Sequence, residues 1–289
     1  MNYRHQYHAG NFADVMKHAV LVQLVRALQK KEKGFLYLDT HAGRGTYDLA
    51  VATRGESLAR KPEWPEGVGR VWAQSTLRSE LEEFISIARQ FDHDRGNRDA
   101  LPHFYPGSPS IVRLLARPQD RLALCEKQPD EFASLAAEFC FSPRTTVHQM
   151  DGYVALRAML PPLERRALVL IDPPFEEQDE FARIVAALKE GLSRLPGGVF
   201  AIWYPLTERA RIDRFIDELV AIALPPTLAL ELMIAGETSL VKMRGCGLVI
   251  VNPPWQFEEI AAPLMENMTE LLAQAPGGGS RVTWIVPER

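Results

Sequence analysis

Cysteine is scarce in this chain of 289 residues: Cys125, Cys140 and Cys246 are its three, widely spaced and odd in number. That argues against a disulfide framework and points to a reducing compartment, the cytoplasm. There is no CxxC pair, so no structural zinc site is expected. No uninterrupted apolar run approaches the ~20 residues that cross a bilayer. The opening MNYRHQYHAGNFAD has no apolar core of the kind that signal peptides carry. An excess of positive charge is missing too. Lys and Arg number 33 against 37 Asp and Glu, a formal net charge of −4. A mildly acidic chain has no general affinity for nucleic acid, so any such site must be local. Internal repeats and long low-complexity tracts are absent; PGGG at 276–279 is a short loop signal.

What remains is ordinary globular material, 46% hydrophobic and 24% charged, enough for a sizeable core. At about 150 residues per domain, the length suits one large domain, or one domain with an insertion. Five short apolar runs end in polar, Gly or Pro residues: FLYL (35–38), RLALC (121–125), ALVLI (167–171), VFAIW (199–203) and GLVIV (247–251). Each reads as a strand buried on both faces. Helical patterns lie among them. In 13–30, Val15, Ala19, Val22 and Val25 form one stripe, and similar stripes occur at 180–194 and 207–222. The alternation predicts an α/β fold with a mainly parallel sheet. From 47 to 107 the rhythm breaks into PEWPEG, a predicted helix at 76–91 and the polar run DHDRGNRDA. This stretch reads as an inserted helical subdomain, since so long a connection is not one structureless loop.

FLYLDTHAGRG (35–45) is a buried strand followed by a glycine turn. Gly43 and Gly45 let backbone amides approach a ligand, although glycine after a strand is more often simple turn chemistry. Asp39 and Thr40 lie at the carboxyl end of that strand, where open α/β sheets bind ligands. A ribose ligand belongs at the end of the next strand. Glu63 and Glu66 are near in sequence but lie in a proline-rich loop. If 47–107 is an insertion, Glu126 occupies the expected place; the alternative is a solvated strand-end glutamate. TTVHQMDG (145–152) reads as a further strand ending in Asp151-Gly152, where a carboxylate can accept from an adenine amino group. DG alone is also a common turn.

The most informative motif is ALVLIDPPF (167–175). A buried strand delivers Asp172 to the sheet edge, and two prolines stiffen the turn that presents Phe175. Prolines remove N–H donors, so a carboxylate and the Pro173 carbonyl can together accept from an amino group. An aromatic face suits a base taken out of its stack. The motif resembles the [DNS]-P-P-[YFW] signature of S-adenosylmethionine-dependent amino-methyltransferases. NPPW (252–255) has the same form, but it lies two or more strands beyond the catalytic place in the order. Asp172 is therefore assigned to catalysis and Asn252 to structure.

The opening YRHQYHAGNFADVMKH (3–18) holds His5, His8 and His18. No carboxylate or cysteine completes a metal set with them, and no metal is expected. Together with LDTHAGRG, YPGSP (105–109), the Glu126 strand end, MDG, LIDPPF, WYP (203–205), VNPPW and the closing TWIVPE, this segment resembles the RlmJ family, 23S ribosomal RNA adenine-N6 methyltransferases. The resemblance runs from Tyr3 to Glu288. It implies a class I methyltransferase fold, Rossmann-like with a mainly parallel sheet, and a small helical insertion. The expected domains are 1–46 with 108–289 for the methyltransferase and 47–107 for the insertion. The resemblance implies S-adenosylmethionine as cofactor and 23S ribosomal RNA as partner, with no membrane and no obligate protein partner evident. Matched position by position, His18, His41, Ser108, Glu126, Asp151, Gly152 and Asp172 form the cofactor site. Asp172 is also the catalytic position, and Tyr3 contacts the target adenosine beside Pro173 and Phe175. Phe175 departs from the family's usual Tyr: the stacking face is kept and the hydroxyl is lost. DNA adenine-N6 methylation and a noncatalytic RNA-binding module are the competing readings. The second rests on the basic run Arg26, Lys30, Lys31 and Lys33, which more often marks a solvated helix end.

Overall fold

The computed structural model describes residues 7–50, 61–236, 238, 239, 241 and 243–288. An eight-stranded sheet runs through it in the order β10-β8-β9-β7-β6-β1-β4-β5. These strands are β1 (Leu36–Asp39), β4 (Arg121–Glu126), β5 (Thr145–Gln149), β6 (Ala167–Ile171), β7 (Val199–Pro205), β8 (Thr227–Met233), β9 (Gly245–Val251) and β10 (Gly279–Val286). From β5 to β7 the neighbours are all parallel. The remaining pairs, β7 with β9, β9 with β8 and β8 with β10, are antiparallel. The sheet is thus mixed, with a parallel half that carries every strand read as nucleotide-binding. In that half the chain runs outward from β1 through β4 to β5, then restarts on the other side at β6. Ligands bind at such a reversal, beyond the carboxyl ends of the strands.

β1, β6 and β9 are buried along their whole length, as their uninterrupted apolar runs require. β5 is an edge strand and only partly buried, which its sequence TTVHQ reflects. β8 and β10 have no counterpart among the five predicted runs. TLALELM, the sequence of β8, is rich in helix-forming Leu, Ala and Glu, yet it is a strand because β9 and β10 flank it.

Helix α1 (Phe12–Gln29) is buried all round rather than on one stripe: Met16, Val20, Leu21 and Leu24 are as buried as Val15, Ala19, Val22 and Val25. The segment between β1 and β4 explains this. It contributes a two-stranded pair, β2 (Thr46–Asp48) with β3 (Phe104–Pro106), and the helices α2 (Val68–Trp72), α3 (Ser79–Asp94) and α4 (Ser108–Leu115). α1 packs against α3, α4 and a late helix, Phe257–Leu272. Val68, Val71, Leu81, Phe84 and Ile85 from this segment share one continuous core with α1. A helix enclosed in this way must bury its polar residues too. Asp14, Lys17, His18 and Gln23 are all buried.

Helices α5 (Pro129–Glu138), α6 (Gly152–Met159), α7 (Glu180–Arg194) and α8 (Arg209–Ala221) connect the later strands, and Phe257–Leu272 is α9. α6 and α7 pack against each other on the second core, with β6 and β7 beneath. No described helix is long and apolar enough to cross a membrane.

Candidate active site

A cleft of about 460 Å³ opens at the carboxyl ends of β1, β4, β5, β6 and β7. That is within the range of small-molecule sites. His18, His41, Ser108, Glu126, Asp151, Gly152, Asp172, Pro173 and Phe175 all line it. Nine residues spread over more than 150 positions of sequence thus meet in one cavity. Tyr3 lies outside the described residues.

Each strand end contributes through local chemistry. After β1 the chain turns at Gly43 and Gly45, with φ of 59° and 78°. The Gly43 amide donates to Glu126 Oε2 at 2.9 Å, and the Gln128 amide to Glu126 Oε1 at 2.8 Å. Burial pushes the Glu126 carboxyl upward, against those two amides. Asp151 caps α6 by accepting from the Tyr153 amide at 3.0 Å. Its other oxygen faces Lys127 at 3.2 Å and Arg183 at 3.0 Å. Burial works to raise this carboxyl, but the Tyr153 amide, Lys127 and Arg183 outweigh it and hold it below the ordinary range. Gly152 sits so close to β1 that a Cβ would lie 1.9 Å from the Thr40 carbonyl oxygen. No side chain fits there.

Asp39 is buried under the β1 turn. Tyr37 and Ser108 hydroxyls each donate to its Oδ2 at 2.7 Å. Burial raises its carboxyl to about 6 despite those bonds. Ser108 therefore points at Asp39. His41 is held neutral, because burial lowers it to about 4. His18 Nδ1 lies 2.8 Å from the Tyr105 hydroxyl.

At the end of β6, Asp172 has a partner that its own motif does not reveal. Lys17 Nζ donates to Asp172 Oδ2 at 2.5 Å and to Asp14 Oδ1 at 2.9 Å. Burial opposes the ammonium charge, yet Asp14 and Asp172 together hold Lys17 well above its ordinary pKa. The pair Asp14 and Lys17, spaced i to i+3 in an otherwise apolar stretch of α1, was the signal available in the sequence. Phe175 adopts a φ of 51°, a costly conformation for a side chain of this size. Its ring packs 5.0 Å from Phe181 and 5.7 Å from Trp203, the latter also lining the cleft.

Asn252 is elsewhere. β9 runs antiparallel to β7, so its carboxyl end meets the beginning of β7. That is the edge opposite Asp172. There the Asn252 side chain donates to the carbonyls of Pro196 and Gly198, both at 2.8 Å, from a left-handed φ of 52°. Asn252→Ala is expected to cost about 1–3 kcal/mol of stability and leave turnover per folded molecule unchanged. Thermal melts beside activity assays check this.

A family model described as "Ribosomal RNA large subunit methyltransferase D, RlmJ" matches residues 32–286. The chain belongs to the RlmJ family. Two relatives named "Ribosomal RNA large subunit methyltransferase J" align over 288 residues and the full length of both chains. The one from Escherichia coli is 40% identical and the one from Haemophilus influenzae 36%. The crystal structure of a Legionella pneumophila protein matches with a TM-score of 0.83 and 35% identity, covering 96% of this chain and 97% of that one. That Legionella pneumophila protein and this chain share the fold, and the chain's family is one of ribosomal RNA methyltransferases.

Proposed function

We propose that the chain transfers a methyl group from S-adenosylmethionine to the N6 amino group of an adenine in 23S ribosomal RNA. The observation that carries this reading is Asp172-Pro-Pro-Phe175 standing in the same cleft as Glu126 and Asp151. Membership of the RlmJ family supports it. Of the charged residues around the cleft, nine are carboxylates and three are Lys or Arg. Such a lining suits a cationic cofactor. Glu126 is placed for ribose hydroxyls and Asp151 for the adenine amino group, while His18, His41, Ser108 and Gly152 shape the remaining wall. Gly152 lets the chain after β5 pack directly on the Thr40 carbonyl, where a Cβ would clash. The residues present therefore fit the cofactor, which supplies an electrophilic methyl group on a sulfonium.

The chain's own part is orientation and proton handling. Asp172 Oδ2 is engaged by Lys17, so Oδ1 remains to accept one N6 hydrogen. The Pro173 carbonyl accepts the other. Holding both hydrogens frees the nitrogen lone pair and aligns it for attack, and proximity supplies much of the rate. Taking up the methyl group in place of the sulfonium's carbon–sulfur bond would make the nitrogen acidic. Its proton passes to Asp172 or to water. Tyr3, Pro173 and Phe175 form the base-binding side, and the cytoplasm is the place of action. We read 47–107 as an insertion into the domain formed by 1–46 and 108–289.

Phe175→Ala is expected to reduce RNA methylation by about 5- to 150-fold, the equivalent of ~1–3 kcal/mol of base stacking, with little change in cofactor affinity. Phe175→Tyr is expected to be nearly neutral. Calorimetry with the cofactor and methyl incorporation into RNA check both. Loss of cofactor binding in a folded Phe175→Ala variant would move the ring to the cofactor side. The function itself is tested with labelled cofactor and three conditions: 23S RNA, duplex DNA and no acceptor. Label in RNA alone is expected; label in DNA alone would favour the DNA enzyme, and label in neither the noncatalytic module.

A further inference from the structure

Glu63 lies in the segment between β1 and β4, far from Asp172 in sequence, yet it lines the same cleft. Both oxygens of its carboxylate have partners. Oε1 lies 2.9 Å from His8 Nδ1, and Oε2 accepts from Asn11 Nδ2 at 2.9 Å. The backbone joins in: the Glu63 amide donates to the Tyr7 carbonyl at 3.1 Å, and the Val68 amide to the Gly10 carbonyl at 2.8 Å. The two strips of chain touch without side chains between them. A Cβ on Gly67 would stand 2.2 Å from the Gly10 carbonyl oxygen. Residues 7–11 are therefore seated on residues 63–68.

Asn11 is the N-cap of α1. Its Oδ1 accepts from the Asp14 amide at 3.0 Å while its Nδ2 is held by Glu63, so the Glu63 bond fixes which way the amide faces. Asp14 Oδ1 then accepts from Lys17, and Lys17 donates to Asp172. Hydrogen bonds thus join Glu63 to Asn11 and Asn11 to the Asp14 amide, and the Asp14 carboxylate carries the link on through Lys17 to Asp172. Networks of this kind over-determine the positions of their members.

We propose that Glu63 is a positioning residue for methyl transfer: through Asn11 it sets the first turn of α1, and so the placement of Lys17 against Asp172. This gives the inserted segment a role in the reaction beyond filling the core. The proposal rests on the reading of Asp172 as the catalytic acceptor.

The test uses Glu63→Ala, Glu63→Gln, Asn11→Ser and the double variant Asn11→Ser with Glu63→Ala, all in the full chain. Serine keeps the N-cap acceptor, but its hydroxyl sits one bond short of the Asn11 Nδ2 that reaches Glu63, so Asn11→Ser keeps the cap while breaking the same link. Expected for Glu63→Ala is a kcat lowered about tenfold at saturating RNA and cofactor, the cost of modest misplacement, with the cofactor Kd within about twofold of wild type. Asn11→Ser reproduces that loss, the double variant adds less than about twofold to it, and Glu63→Gln recovers most of the rate because its amide oxygen still accepts from Asn11. Hydrogen exchange over residues 7–15 speeds up in Glu63→Ala and Asn11→Ser, a readout independent of any RNA. An unchanged kcat in both single variants overturns the proposal, as do losses that multiply in the double variant. A fall in cofactor affinity matching the fall in rate overturns it too, by making Glu63 a direct ligand. If the wild type transfers no methyl to RNA while exchange responds as stated, it is the proposed function that fails and not the link through Asn11.

Discussion

Asp172→Ala is expected to lower methyl transfer by on the order of 10²–10⁴-fold, the range that a positioned proton acceptor supplies, without unfolding the chain. Asp172 is the one carboxylate at the end of β6, and its unengaged oxygen is what the amino group would meet. The alanine variant retains the Asp14–Lys17 pair, so the buried ammonium keeps a counter-charge. Its melting temperature is expected to stay within a few degrees of wild type. Single-turnover methylation at saturating cofactor separates chemistry from binding. Asn252→Ala is the matched control, because it alters the other proline motif at the opposite edge of the sheet. A folded Asp172→Ala variant with wild-type turnover would remove Asp172 from the chemistry.

Lys17→Met is expected to have the largest effect on stability. The Lys17 and Asp14 side chains are 5% and 3% exposed. Removing the ammonium leaves the buried Asp14 carboxylate with the Gly10 amide but without its counter-charge, and Asp172 without its closest partner. Breaking a buried pair in this way costs about 3–5 kcal/mol. Replacing Asp14 by Asn in the same variant is expected to restore part of the loss, since the buried charge without a counter-charge is then gone. Denaturant titration of the two variants checks this; equal stability of Lys17→Met and wild type would show that the pair is not a source of stability. The pH dependence follows from the direction of the shift. Lys17 is raised above its ordinary 10.5 in the folded chain. Its contribution is therefore complete at neutral pH and is lost only as pH rises past 10.5 through the folded-state value. Activity falls as well, because Asp172 loses the group that fixes one of its oxygens.

The parallel half of the sheet was legible because strands buried on both faces advertise themselves as apolar runs, and ALVLI, RLALC and FLYL did so. Helix bounds shifted by a few residues: the predicted 76–91 is Ser79–Asp94. The antiparallel half was harder. β8 carries the composition of a helix, and only its neighbours make it a strand. The lining of the cleft was readable where polar residues end the strands, as in Asp172, Asp151 and Glu126. It was not readable where the cleft is lined by two distant segments meeting. Glu63 looked like a loop glutamate at an unsuitable place, since nothing local tells that residues 7–11 lie against it. Lys17 was hidden for the same reason. Only the closure of α1 between α3, α4 and α9 brings its ammonium to Asp172.

The most direct test is to incubate the protein with 23S RNA and S-adenosylmethionine carrying a labelled methyl group, digest the RNA to nucleosides and separate them. The account predicts label in N6-methyladenosine with the wild type, and its loss with Asp172→Ala. Label recovered in a different nucleoside, or undiminished label with folded Asp172→Ala, would contradict it.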